Sequence, residues 1–213
     1  MMILFLDTVS SLPEFSLIKD NKIIYSKKIL SKNKGKMSDY IIPIYINLEK
    51  KFSLANRLKY LILNTGPGSY TALRVGIAFL SGLSLSRNIS LIGISCVDLF
   101  RYSIKKDELI SSAILITSSN DQNFFCFYNI KKNIHIINKI ENKDKSIYKK
   151  QVLLKKIFTN AELPLQKFNL SKNIKIIKIS FNTLVIQNIS NIISQPKKEF
   201  IEPIYISSNK ILN

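Results

Sequence analysis

The stretch that decides the fold is NTGPGSYTALRVG, residues 64–76. It follows LKYLIL (58–63), an apolar run of strand length, and leads into the apolar AFLSGLSLS. The order is therefore strand, tight turn, helix. The turn Thr65–Ser69 carries two glycines flanking a proline, Ser69 stands where an N-cap belongs, and residues 70–86 read as the helix. Glycines let backbone N–H groups converge, and a helix N-terminus favours an anion, so a phosphate loop built on Gly66, Gly68 and Ser69 is one reading. Walker A spacing and its lysine are absent, and Pro67 has no N–H to offer. A plain strand-to-helix turn is therefore favoured.

Upstream of this stretch, MILFLDT (2–8) reads as a buried strand ending at Asp7. EFSLIK (14–19) and KIIYSKKIL (22–30) read as two further strands around an Asp20-Asn21 turn. Residues 38–52 change period: Ile41, Ile44, Tyr45, Leu48 and Phe52 share one helical face. Ile42 and Ile46 lie on another side, which a helix burying one face does not need. Pro43 requires either that regular hydrogen bonding begins near it or that the first turn is kinked. Downstream, 90–95 reads as a strand and Val97–Ile104 as a short helix. The second half predicts strands at 113–117, 123–130, 133–138 and 174–180, with helices at 146–158 and 181–194. Four of the six glycines lie between Gly66 and Gly82 and none follows Gly93, so special backbone geometry is concentrated in the first half. Two β-rich halves of similar size are compatible with a duplicated lobe.

With 213 residues, 46% apolar and 22% charged, the chain is long enough for one large domain or two small lobes around a real core. No apolar run approaches a membrane span, and MMILFLD is too short for a signal peptide, so a cytoplasmic protein without a membrane anchor is expected. Cys96 and Cys126 make no disulfide framework. With the single His135 they make no zinc site either; both read as buried thiols. The net charge of +18 comes from 28 Lys and only 4 Arg spread over the whole chain. A phosphate reader uses arginine forks, so a solvated lysine surface with weak, nonspecific RNA attraction is favoured over a dedicated RNA groove.

Three further features bear on chemistry. Asp7, with Thr8 and Ser10 beside it, has the position of the acid that orients metal and water in ATPases of the actin and sugar-kinase type. A strand-end acid capping a turn is the commoner meaning. His135, in an alternating and exposed-looking Lys/Asn/Ile stretch, is the one candidate base for a nucleophilic triad and carries little weight. In the helix after the glycine turn, Ala72 and Gly76 are four apart, as are Ala78 and Gly82. Small residues at that spacing allow close approach, either of another helix or of the chain's own sheet, and the two pairs lie on different faces.

Taken together these residues resemble a known family. Asp7-Thr8 after the first strand, the three opening strands, Ser38-Asp39-Tyr40-Ile41-Ile42-Pro43, the run Gly66 to Gly76 and Leu91-Ile92-Gly93-Ile94-Ser95 are similar to TsaB (YeaZ) proteins. The likeness covers residues 2–100 well and thins to Pro203-Ile204-Tyr205-Ile206 at the tail. The length also fits that family rather than its catalytic relative TsaD. The resemblance implies an α/β fold of the actin/Hsp70/sugar-kinase superfamily, with two lobes, each a mixed sheet with flanking helices; the division expected here is 1–97 and 98–213. It implies a non-catalytic subunit that pairs with TsaD through helices of the first lobe, with TsaE and ATP joining. TsaD, carrying a histidine-held metal, then transfers threonylcarbamoyl to the tRNA adenosine beside the anticodon. No cofactor is expected in the isolated chain, tRNA is met through the complex, and a homodimer can form when the chain is alone. The sequence departs from the family at Met37, where a histidine is usual, at Thr117–Ser119, where Asp-Ala-Arg is usual, and at Ser207 in place of a final arginine.

The expected partner surface comprises Tyr40, Ile41, Ile44, Tyr45 and Leu48 from the first helix. From the second it adds Ala72, Leu73, Val75, Gly76, Phe79 and Leu80. Such a surface would bury on the order of 800 Å² per partner. Gly76→Leu is then expected to cost pairing and not folding. Two alternatives remain: a small ATPase or kinase using Asp7 and the Gly66–Ser69 loop, and a basic RNA-binding module.

Overall fold

The structure is a computed structural model that describes residues 1–30, 35–119, 122–129, 134–140, 154–161, 173–196 and 200–206, together with the backbone of 209–212. Strands β1 (Met2–Asp7), β2 (Glu14–Lys19) and β3 (Lys22–Lys28) form an antiparallel meander. Asp20 and Asn21, both at positive φ, make the two-residue hairpin between β2 and β3. Strands β4 (Leu58–Asn64) and β5 (Ser90–Ile94) join in parallel on the other side of β1, giving the order β3-β2-β1-β4-β5. Parallel neighbours need long crossovers, and helices α1 (Met37–Phe52) and α2 (Tyr70–Arg87) supply them.

The second sheet repeats this plan. Strands β6 (Ser112–Thr117), β7 (Asn123–Asn129) and β8 (Ile134–Ile140) form an antiparallel meander. Strands β9 (Lys156–Thr159) and β10 (Lys175–Lys178) add in parallel beside β6. A final strand, β11 (Asn209–Leu212), pairs antiparallel with β8. The duplicated lobe is thus one five-strand topology used twice, with an extra edge strand on the second copy.

Every residue of β1 is buried because both faces of the strand are covered, which explains its unbroken apolar run. Met2, Leu4 and Leu6 belong to the core beneath α1 and α2, while Ile3 and Phe5 belong to the core between the two sheets. That central layer holds α3 (Cys96–Arg101), α4 (Phe181–Gln187) and α5 (Ile189–Ile193). Helix α3 touches α4 and β6, α4 touches β3, and α5 touches β5, so the lobes share one apolar interior. The outer face of the second sheet gathers Ala113, Leu115, Phe125 and Ile157.

Several local expectations change. The helix expected at 146–158 is overturned at its end: Lys156–Thr159 is strand β9, whose Ile157 and Phe158 are buried on opposite faces and which pairs with β6 on one side and β10 on the other. Residues 146–153 lie outside the described residues, as do 130, the last residue expected in the strand 123–130, and 133, the first expected in the strand 133–138. Helix α1 runs through Pro43, which stands exposed on the solvent side, where the missing N–H leaves a carbonyl free to meet water. His135 is 6% exposed on β8 with its ring 5.2 Å from Tyr128, so the alternating stretch is half core rather than exposed. Strand β3 is the outer edge of the first sheet. Its Ile23 and Ile24 are exposed, Lys22, Lys27 and Lys28 stand around them, and only Tyr25 is partly covered, by Phe52.

Candidate functional site

At the carboxyl ends of β1 and β4 the two lobes meet. Asp7, buried, accepts through Oδ1 from the amides of Val9 (2.9 Å) and Ser10 (3.2 Å) and from Asn64 Nδ2 (3.4 Å). Burial pushes its carboxyl above the ordinary value of 3.8; the hydrogen bonds from Ser10 and Val9 oppose this and Glu14 adds to it. Asp7 therefore fastens the loop that follows its own strand. A cavity of about 200 Å³ opens beside it, lined by Ser10, Glu14 and Lys28 from the first lobe and Asn160, Ser180 and Asn182 from the second. Asn182 Nδ2 donates to Glu14 across this cleft at 2.6 Å.

Asn64, fully buried, is the hub that the sequence reading passed over. Its Oδ1 accepts from the Gly66 amide (3.3 Å) and the Cys96 thiol (3.1 Å), and its carbonyl accepts from Thr8 Oγ1 (3.1 Å). The signal was present: Asn64 closes an apolar strand lying parallel to the one that Asp7 closes. The second lobe repeats the device with Asn160, just past β9. Its side chain accepts from the Thr117 amide and donates to the Thr117 carbonyl. Cys96 and Cys126 are both buried free thiols whose ionisation burial opposes.

The glycine turn is already filled. Gly66 lies at φ +105, before a cis Pro67, and its carbonyl accepts from the Cys96 amide at 2.8 Å. Ser69 occupies the N-cap of α2, yet its side chain makes no cap bond; its amide donates to Ser118 Oγ of the second lobe at 3.1 Å. A Cβ on Gly68 would meet Val9 and the same Ser118 hydroxyl. The end of α2 that would receive a phosphate thus serves contact between the lobes.

The two surface helices sort the expected partner residues by burial. Ile41, Tyr45, Leu48, Ala72, Leu73, Gly76 and Leu80 are buried in the chain's own core, and Ile44, Val75 and Phe79 are half-buried against it. Phe79 packs edge-on against Phe15 and Tyr45. Of the eleven, Tyr40 alone is exposed, at 42%. The reason is geometric: the residues sharing a helical face are those with which the helix covers its own sheet. A Cβ on Gly76 would collide with Thr8 Cγ2. Gly76→Leu is therefore corrected to a folding variant.

The other side of each helix is bare. On α1, Ile42 (53%), Ile46 (42%) and Tyr40 face solvent. On α2, Ala78 and Gly82 are exposed together with Leu85 (84%), and among the described residues nothing lies within 4 Å of a Cβ built on Gly82. The two small-residue pairs have separated: Ala72 and Gly76 admit the sheet, while Ala78 and Gly82 leave open space. An ion pair between Glu49 and Arg87 ties the ends of the two helices together.

Two copies of one mixed sheet with helices between them define a two-lobed protein of the actin/Hsp70/sugar-kinase fold. The chain belongs to the TsaD family, tRNA N6-adenosine threonylcarbamoyltransferase, whose family model matches residues 37–211. Two solved structures from Pseudomonas aeruginosa share the fold. One is an uncharacterised protein with similarity to the peptidase YeaZ, with a TM-score of 0.63, 13% identity, and 96% of this chain and 98% of that chain covered. The other is YeaZ itself, with a TM-score of 0.58, 14% identity, and 96% and 99% covered. Among curated sequences, none matches.

Proposed function

We propose that the chain is the non-catalytic, TsaB-type member of the tRNA threonylcarbamoyl transfer machinery. It docks on TsaD, with TsaE and ATP joining the assembly, and supports threonylcarbamoyl transfer to the tRNA adenosine beside the anticodon. A cytoplasmic role follows from that reading. Family membership supports the pathway. The observation that carries the docking role is the bare apolar face Tyr40, Ile42 and Ile46, together with the open small-residue face Ala78 and Gly82. Spare apolar surface of this kind marks an interaction site, and small residues let a partner helix approach closely. The partner surface is thus moved from the buried stripes to the opposite sides of the same helices. Against the ATPase reading stand Asp7, held to its own loop, and the α2 N-terminus, held to Ser118.

The test is co-purification with TsaD from the same organism, followed by tRNA modification with and without the chain. Ile42→Asp with Ile46→Asp, and separately Gly82→Leu, are expected to lose pairing at least tenfold while the thermal midpoint stays within a few degrees of wild type. Full pairing by both variants overturns the assigned surface. Modification of tRNA by the isolated chain overturns the non-catalytic role.

A further inference from the structure

Residues 200–206 leave the second half of the chain and lie on the first lobe. The Ile204 amide donates to the Thr65 carbonyl at 2.8 Å, in the turn before α2. Two glycines make room for this segment. A Cβ on Gly93 would stand 2.8 Å from Ile201 Cγ2, and one on Gly66 would stand 3.1 Å from the Ile204 carbonyl oxygen. The Tyr205 ring lies 4.6 Å from Tyr70, its hydroxyl accepts from Arg74 Nε at 3.1 Å, and the Arg74 guanidinium sits 4.2 Å over Tyr70. Ile206 enters the shared core, and farther on β11 pairs with β8 of the second sheet. Phe200 to Ile204 also form one wall of a cavity of about 340 Å³. Its other walls are Thr65, Gly93 and Ser95 of the first lobe, Asp98 and Arg101 of α3, and His135 of the second sheet.

We propose that residues 200–206 are a latch: a separately opening segment that seats on the glycine turn, holds the first lobe to the second sheet and closes the cavity beneath it. The specific run Gly66 to Arg74 is its receptor. Gly66 admits its backbone, Tyr70 stacks on its ring and Arg74 holds its hydroxyl. One backbone hydrogen bond, one side-chain hydrogen bond and a ring pair fasten the segment. Ile201, Ile204 and Tyr205 are only partly covered, Phe200 and Glu202 are exposed and Ile206 alone is buried, and segments held this lightly open well below the free energy of global unfolding. Opening uncovers the first turn of α2 and the cavity in one step.

The test is hydrogen–deuterium exchange of the full chain, read by peptide, comparing wild type with Tyr205→Ala and Gly93→Val. Tyr205→Ala removes the stacking and the hydrogen bond; Gly93→Val obstructs the seat of Ile201. Both are expected to speed exchange about tenfold in peptides spanning 64–74 and 200–206, and to leave 2–19 unchanged. Unchanged exchange at 64–74 in Tyr205→Ala overturns the latch. So does acceleration that spreads evenly over all peptides, because the segment would then be part of the cooperative core.

Discussion

Asp7 is a carboxylate placed where its charge is costly. The folded protein raises its pKa by burial, so it holds the proton more tightly than the unfolded chain does. Stability from this group is therefore complete below about pH 4 and is lost as pH rises through the folded value. Asp7→Asn keeps an acceptor for the Val9 and Ser10 amides and removes the charge. It is expected to raise the thermal midpoint at pH 7–8 by a few degrees, a gain that disappears below about pH 4 where Asp7 is itself neutral. Paired melting curves of the two proteins at pH 3.5 and pH 7.5 check this; a lower midpoint for the variant at pH 7.5 would show that the ionised form is the one the fold favours. The sequence showed Asp7 as a strand-end acid. It did not show Asn64, because a lone asparagine after an apolar strand carries no motif until the parallel neighbour brings it to 3.4 Å from the carboxylate.

At the scale of elements, α2 shows what periodicity reveals and what it hides. Its existence, its start near Ser69 and its excess of apolar surface were legible from the Gly66–Ser69 turn and the run that follows. Which stripe meets the sheet was not legible, since Ala72/Gly76 and Ala78/Gly82 are the same pattern turned through the helix. Only the placement of Thr8 beneath Gly76 breaks the tie. The two glycines should therefore respond oppositely to one added methyl. Gly76→Ala is expected to destabilise by about 1–3 kcal/mol through overpacking. Gly82→Ala is expected to stabilise by roughly 0.5–1 kcal/mol, because alanine suits a helix interior better and the space is free. Urea denaturation of both variants measures the two signs directly. Helix α1 gives the same lesson: Ile42 and Ile46 fell off the main stripe in the sequence, and these are the residues left bare. In the second lobe β9 was missed because four residues, KIFT, are too short to show a period of two.

For the whole molecule, the duplication was legible only as two β-rich halves. The shared order of strands emerges once long-range pairing is known, and no sequence period reports it. The shared interior between the sheets and the return of residues 200–206 to the first lobe are likewise products of tertiary contact. Net charge is also a whole-molecule property. With +18 carried mostly by dispersed lysines, the isolated chain is expected to bind tRNA only at low salt. Affinity should fall at least about tenfold between 50 and 200 mM salt, without preference among tRNA sequences. Filter binding across that range checks it; tight binding that persists at 200 mM would favour a built RNA site.

The outer strand of the first sheet carries a last consequence. Its backbone is an open template, and its two bare isoleucines would welcome another strand. Lysines 22, 27 and 28 make two such edges repel each other, which keeps chains from zipping into fibrils. The dispersed lysines, read from the sequence as a solvated surface, serve on this one strand to guard an open edge against pairing with its own kind.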